Sequence, residues 1–177
     1  MVIAMNKSLK RWMIIAMLLA MAVILGYIES FIPIFIPGVK LGLANVIILI
    51  MLYEFKFYEA LIVDILRILV VALIRATLMS PTFFMSLSGG ILSFIVMLIF
   101  SRIKVFSIWG VSMLGALAHG IGQILIAIFI VGTSAVFYYL PFILLLSIGT
   151  GIFSGVLAKT YLKRSITNKY IQEDNIE

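Results

Sequence analysis

Residues 12 to 32 read Trp-Met-Ile-Ile-Ala-Met-Leu-Leu-Ala-Met-Ala-Val-Ile-Leu-Gly-Tyr-Ile-Glu-Ser-Phe-Ile, and Glu29 is the one charge in the run. An unbroken apolar stretch needs ~20 residues to cross a bilayer as a helix. This one is too long for the apolar core of a leader peptide, and no cleavage-site pattern follows it, so it is expected to stay in the protein. The rest of the chain repeats the pattern. Of its 177 residues, 64% are hydrophobic and 11% charged, a balance with too little polar surface for a water-soluble domain. The sequence predicts six spanning helices: Trp12–Ile32, Leu41–Phe55, Phe57–Met79, Thr82–Ser101, Ile108–Val131 and Val136–Leu162. Between them lie Pro33 with Pro37 and Gly38, then Lys56, Ser80-Pro81, Arg102 to Ser107, and Gly132 to Ser134.

Charge placement orients this bundle. Lys7, Lys10 and Arg11 precede the first helix, Lys56 sits between the second and third, and Arg102 and Lys104 lie between the fourth and fifth. Lys159, Lys163, Arg164 and Lys169 end or follow the sixth. Six spans put all of these on one side and leave Lys40 alone in the opposite loops. The positive-inside rule then makes both termini cytoplasmic. Trp12, Tyr53, Tyr58, Trp109 and Tyr161 fall at the inner interface, and Tyr27, Tyr138 and Tyr139 near the outer one. The expected layout is a cytoplasmic segment 1–11, a six-helix membrane domain 12–162 and a polar cytoplasmic tail 163–177. The net charge of +6 is explained by topology, so nucleic acid is not an expected partner.

Polar residues inside the spans are costly and point to pairing or function. The third predicted helix carries Asp64, Arg67 and Arg75, with Glu59 at its start. Asp64 and Arg67, three apart, can pair along one helix face. Arg75 has no such neighbour, which leaves Glu29 or a ligand to neutralise it. In the fifth helix His119 and Gln123 share a face, with Gly115 and Gly122 allowing close helix approach. Glu29, Lys40, Asn45, Arg75, Ser86, Ser88 and Gln123 all fall in the outer half, with Arg67 and His119 near the midplane. That clustering implies a cavity open to the outside, favouring an anionic or strongly polar ligand. The segment from Ser30 to Lys40, apolar but broken by two prolines and a glycine, suits a lid over it.

Several chemistries are excluded. The chain has no cysteine and one histidine, so thiolate chemistry and histidine metal clusters are out. No GxxxxGK[ST] loop is present, so ATP cannot be used by this chain itself. Asp64 and Asp174 are the only aspartates, and magnesium-assisted work on diphosphates needs several carboxylates. No cofactor is expected, and catalysis is not.

The run Pro37-Gly38-Val39-Lys40-Leu41-Gly42-Leu43-Ala44-Asn45 resembles a signature of the Gx transporter family, also described as heptaprenyl diphosphate synthase component I. So do Arg67, Ser86-Leu87-Ser88-Gly89-Gly90, and Ala118-His119 followed by Gly122-Gln123. The similarity runs from about Tyr27 to Val131, and one departure is Gly120, where asparagine would follow the histidine. That family is similar in turn to the substrate-binding S components of energy-coupling factor transporters. The resemblance implies an S-component-like six-helix bundle with an outward pocket, driven by a coupling subunit and two ATPases. It implies that Ala16 and Ala20, the small-xxx-small pair of the first helix, form the coupling surface. Gly151 and Gly155 make a second such pair. Arg67, Arg75, His119 and Gln123 are expected to contact the ligand, with Lys40 and Asn45 at its outer rim. The family's second description implies instead a non-catalytic membrane partner of a prenyl synthase in isoprenoid or quinone metabolism. A third possibility is a scaffold for an extracellular electron-transfer protein. On every reading the protein is expected in a prokaryotic plasma membrane, in contact with its lipid.

Overall fold

A computed structural model describes residues 7–32, 40 and 42–165. They form six α-helices: α1 (Lys7–Glu29), α2 (Asn45–Glu54), α3 (Phe57–Ile74), α4 (Pro81–Ser101), α5 (Ile108–Val131) and α6 (Leu140–Arg164). A 3-10 helix at Ser134–Tyr139 leads into α6. Among the described residues there is no strand. The predicted lid falls largely on residues 33–39, and most of the predicted tail on 166–177; both lie outside the described residues, as do residues 1–6 and 41.

Local chemistry sets several helix ends. Ser80 caps α4 by accepting from the Phe83 N–H at 3.4 Å, with Pro81 in the first turn, where its missing N–H costs nothing. Ser107 caps α5 in the same way through Gly110 N–H at 3.2 Å, and α5 stops at Gly132 with φ of 70°. At the start of α3, the Glu59 carboxylate accepts from the Lys56 N–H at 2.9 Å.

Four helices differ from expectation. α6 begins at Leu140 rather than Val136, because Ser134–Tyr139 winds as a tighter 3-10 turn, and it runs on to Arg164. α1 begins at Lys7, and its last turn tightens after Glu29, with N–H groups of Ser30, Phe31 and Ile32 bonding three residues back. α3 ends at Ile74 rather than Met79, so Arg75 is its C-cap and not an interior residue. The stop is a Schellman turn: Ala76 N–H bonds Leu73 O at 3.0 Å and Thr77 N–H bonds Ala72 O at 2.8 Å. Ala76 itself sits at φ 51°, without glycine to relieve it. α2 is only 10 residues, or ~15 Å, about half a bilayer core.

Six helices are therefore present, and four are long and apolar enough to cross a membrane: Ser8–Glu29, Pro81–Ser101, Ile108–Val131 and Ala135–Arg164. α2 is too short, and α3 carries Glu59, Asp64 and Arg67. α2 touches all five other helices, and nine of its residues are buried. A helix apolar on every side belongs in an interior, and this one forms the axis of the bundle. Around it α3 packs on α1 and α4, and α5 packs on α4 and α6.

Close helix approach comes from glycine. A Cβ on Gly122 would lie 2.8 Å from Ser88 O and 2.9 Å from Gly89 Cα, and one on Gly155 would lie 2.8 Å from Trp109 Cα. Gly115 meets Met97 and Ser93, and Gly151 meets the Met113 backbone. In lipid, burying one more leucine gains little over leaving it against acyl chains, so backbone proximity carries the association. Gly120 faces Ile143 and Ser147 of α6, which places this departure from the family pattern in a helix contact.

Long-range contacts define the two ends. At one end Arg11 pairs with Glu59 through bonds of 3.1 and 2.7 Å, and Lys159 lies 4.5 Å over the Trp109 ring. At the other end stand Glu29, Lys40 and Arg75.

A candidate polar cleft at one end of the bundle

The cleft is built on α3. Its first-half carboxylate, Asp64, and Arg67 face the same interior, and the expected pair forms: Arg67 Nε and Nη2 reach Asp64 Oδ1 at 2.8 and 2.7 Å. Both residues are buried. Arg67 Nη2 also donates to Asn45 Oδ1 at 2.7 Å, and Asn45 Nδ2 donates to Ser93 Oγ at 3.0 Å. One guanidinium thus ties α3 to the first residue of α2, and that residue to α4. Because Asp64 already balances its charge, Arg67 brings little uncompensated charge to a ligand.

A second network fixes Lys40 and Gly42, which precede α2. The Lys40 N–H donates to Gln123 Oε1 at 3.1 Å, and the Gly42 N–H donates to Glu29 Oε1. Gly42 has φ of 83°, a region open to glycine at little cost. The Lys40 bond orients the Gln123 amide, so its Nε2 faces His119 Nε2 at 2.9 Å. An amide nitrogen only donates, so that ring nitrogen accepts and His119 is neutral with its proton on Nδ1.

Two adjoining cavities open beside these networks. The first is an open recess with enclosed room for little more than one water, lined by Gly26, Glu29, Lys40, Arg67, Ile68, Val71, Ser86 and His119. The second, equally narrow, shares Lys40, Ile68, Val71 and Ser86 and adds Ala72, Arg75, Thr77, Thr82 and Phe83. Of the residues singled out from sequence, Lys40, Arg67, Arg75 and His119 therefore reach cavity walls. Asn45 and Gln123 stand behind the walls, 6% and 0% exposed, orienting Arg67, His119 and the Lys40 backbone. Arg75 lies 6.0 Å over the Phe31 ring and forms no ion pair with Glu29.

Sequence reasoning placed Glu29 and Ser86 among the polar groups of this half without assigning them to the site, and it passed over Thr77 and Thr82. A glutamate closing an apolar run was the available signal for Glu29. Thr77 gave none, because the early end of α3 decides its place, and Thr82 falls in the first turn of α4, where the sequence marked only a helix start. Ala16 and Ala20 are exposed on α1, far along the helix from this cleft, beside exposed Met13, Met17 and Met21. Among the described residues, no three His, Cys, Asp or Glu side chains are grouped to hold a metal.

Fold and cleft together define a class: a helical bundle with membrane-length apolar helices and a cationic, partly apolar cleft at one end. The chain belongs to the family described as "Heptaprenyl diphosphate synthase component I", whose model matches residues 18–161. No curated protein and no solved structure matches the chain.

Proposed function

We propose that this chain is a non-catalytic, membrane-embedded component of a heptaprenyl diphosphate synthase, with a ligand cleft in its outer half. The family match over residues 18–161 carries this reading. Two carboxylates are committed elsewhere than to a metal-bound diphosphate: Asp64 pairs with Arg67, and Glu59 with Arg11. An accessory subunit needs no carboxylate cluster. In this reading all six helices lie within a plasma membrane. The end bearing Arg11, Lys56, Arg102, Lys104 and Arg164 faces the cytoplasm together with both termini, and Lys40 and Arg75 open outward.

A second reading, an S-component-like transport subunit driven by a coupling subunit and ATPases, draws on a separate feature. Ala16 and Ala20 are exposed along α1, where small side chains let another helix approach closely. Lys40, Arg67, Arg75 and His119 would hold its ligand, with Asn45 and Gln123 supporting them.

The readings part in one experiment. The tagged protein is purified from its native membrane in mild detergent, and co-purifying proteins are identified by mass spectrometry. A prenyl-elongating synthase is the expected companion. A coupling subunit with ATPases in its place moves the assignment to transport, and a surface redox protein moves it to an electron-transfer scaffold.

A further inference from the structure

We infer that the cleft takes an amphiphile with a phosphate or diphosphate head, the head on Lys40 and Arg75 and the adjoining apolar segment against α3 and α4. This rests on the ligand cleft proposed above and names what fills it.

The charge balance carries the head. Arg67 is neutralised by Asp64 at 2.7 Å, while Lys40 and Arg75 have no ion-pair partner among the described residues. Among the described residues Glu29 is the one carboxylate lining these cavities; it lies on the first, where it accepts from the Gly42 N–H and offsets part of the Lys40 charge. Among the described residues the second cavity is lined by two cations, no carboxylate and the hydroxyls of Thr77, Thr82 and Ser86. A phosphate carries about −1.5 to −2 charges and three acceptor oxygens, which suits two cations with hydroxyl donors better than a single carboxylate does.

The other wall of the same cavity carries the tail. Ile68, Val71, Ala72 and Phe83 line it, and three of them, Ile68, Ala72 and Phe83, form one apolar cluster flanked by Leu69 and Leu87. A free inorganic anion would leave this wall unused, and a neutral lipid would leave Arg75 and part of the Lys40 charge uncompensated in a low-dielectric setting. A phosphate-headed chain satisfies both. Isoprenoid phosphates and anionic membrane lipids share that chemistry.

The test uses the full-length protein in phosphatidylcholine nanodiscs and measures binding of dodecyl phosphate, dodecanol and inorganic diphosphate. Dodecyl phosphate is expected to bind at least tenfold tighter than either other probe. Arg75→Gln and Lys40→Gln should each weaken it at least tenfold, while Arg75→Lys, which keeps the charge, should retain most of the binding. Ala72→Phe, filling the apolar wall, should weaken dodecyl phosphate and leave inorganic diphosphate unchanged. Thermal melting of each variant separates loss of binding from loss of fold. Competition in phosphatidylglycerol discs would assign the site to bulk anionic lipid, and its absence to a dedicated phosphate-headed ligand. Inorganic diphosphate binding as tightly as dodecyl phosphate would overturn the amphiphile and leave an anion cleft standing. Dodecanol binding equally would overturn the head assignment. If none of the three binds, the cleft reading itself fails, whereas membership in a synthase complex is judged separately by the purification experiment.

Discussion

The backbone N–H of Lys40 donates to the side-chain oxygen of Gln123 at 3.1 Å, joining positions 83 apart in the chain. Gln123 has no exposed surface, and its amide nitrogen is spent on His119. A single α5 side chain thereby sets where the Lys40 backbone lies and which ring nitrogen of His119 accepts a hydrogen bond.

Gln123→Leu keeps the volume and removes both bonds. It leaves the Lys40 N–H and His119 Nε2 without this partner, at a cost of about 1–3 kcal/mol. A lowered melting temperature in detergent is the expected readout; an unchanged one would show that the amide contributes nothing net to stability.

Asp64→Leu should destabilise more, by about 3–5 kcal/mol, because it strands the buried Arg67 guanidinium. Asp64→Leu combined with Arg67→Met removes both charges and should recover most of that loss. A double-mutant cycle from thermal melts reads the coupling, and simple additivity of the two single changes would contradict a buried pair.

Gly122 and Gly149 form a matched comparison. A methyl on Gly122 strikes the backbone of Ser88 and Gly89, which cannot swing aside, whereas nothing lies within 4 Å of one on Gly149. Gly122→Ala should cost about 1–3 kcal/mol by forcing α4 and α5 apart. Gly149→Ala should leave stability unchanged or raise it slightly through helix propensity. Equal melting temperatures for the two variants would count against the backbone contact.

Ala76 occupies the left-handed position that ends α3, at φ 51°. Ala76→Gly relieves a strain of ~1–2 kcal/mol but adds unfolded-chain entropy worth ~0.4–1 kcal/mol. A net gain of about 0.5–1 kcal/mol is expected, seen as a higher melting temperature. A loss of stability would mean that the turn is held by contacts the alanine methyl makes.

The sequence was readable wherever the deciding chemistry is local. Ser80-Pro81, Ser107 and Gly132 end helices through bonds within a turn, so α4 and α5 begin and end within a residue of expectation. Asp64 and Arg67 are three apart, and helix geometry alone brings them together. The α3 terminus was harder to read. No glycine or proline follows Ile74 until Pro81, and an alanine takes the turn that glycine usually takes, so the apolar pattern ran past the true end. That shortening moves Arg75 and Thr77 to the cleft.

Residue composition and spacing by themselves determined an all-helical chain with membrane-length apolar segments, its main helix caps, the Asp64–Arg67 pair and the set of polar residues gathered in one half. Only the tertiary structure decided that α2 is a short buried axis, that Asn45 and Gln123 brace the cleft from behind, and that Arg67 is already neutralised while Lys40 and Arg75 are not. Those outcomes depend on partners 22 to 83 residues away, as in Arg67 with Asn45 and Lys40 with Gln123. A helix's own periodicity says which face turns inward, but which side chain it meets there is set by how neighbouring backbones close on their glycines.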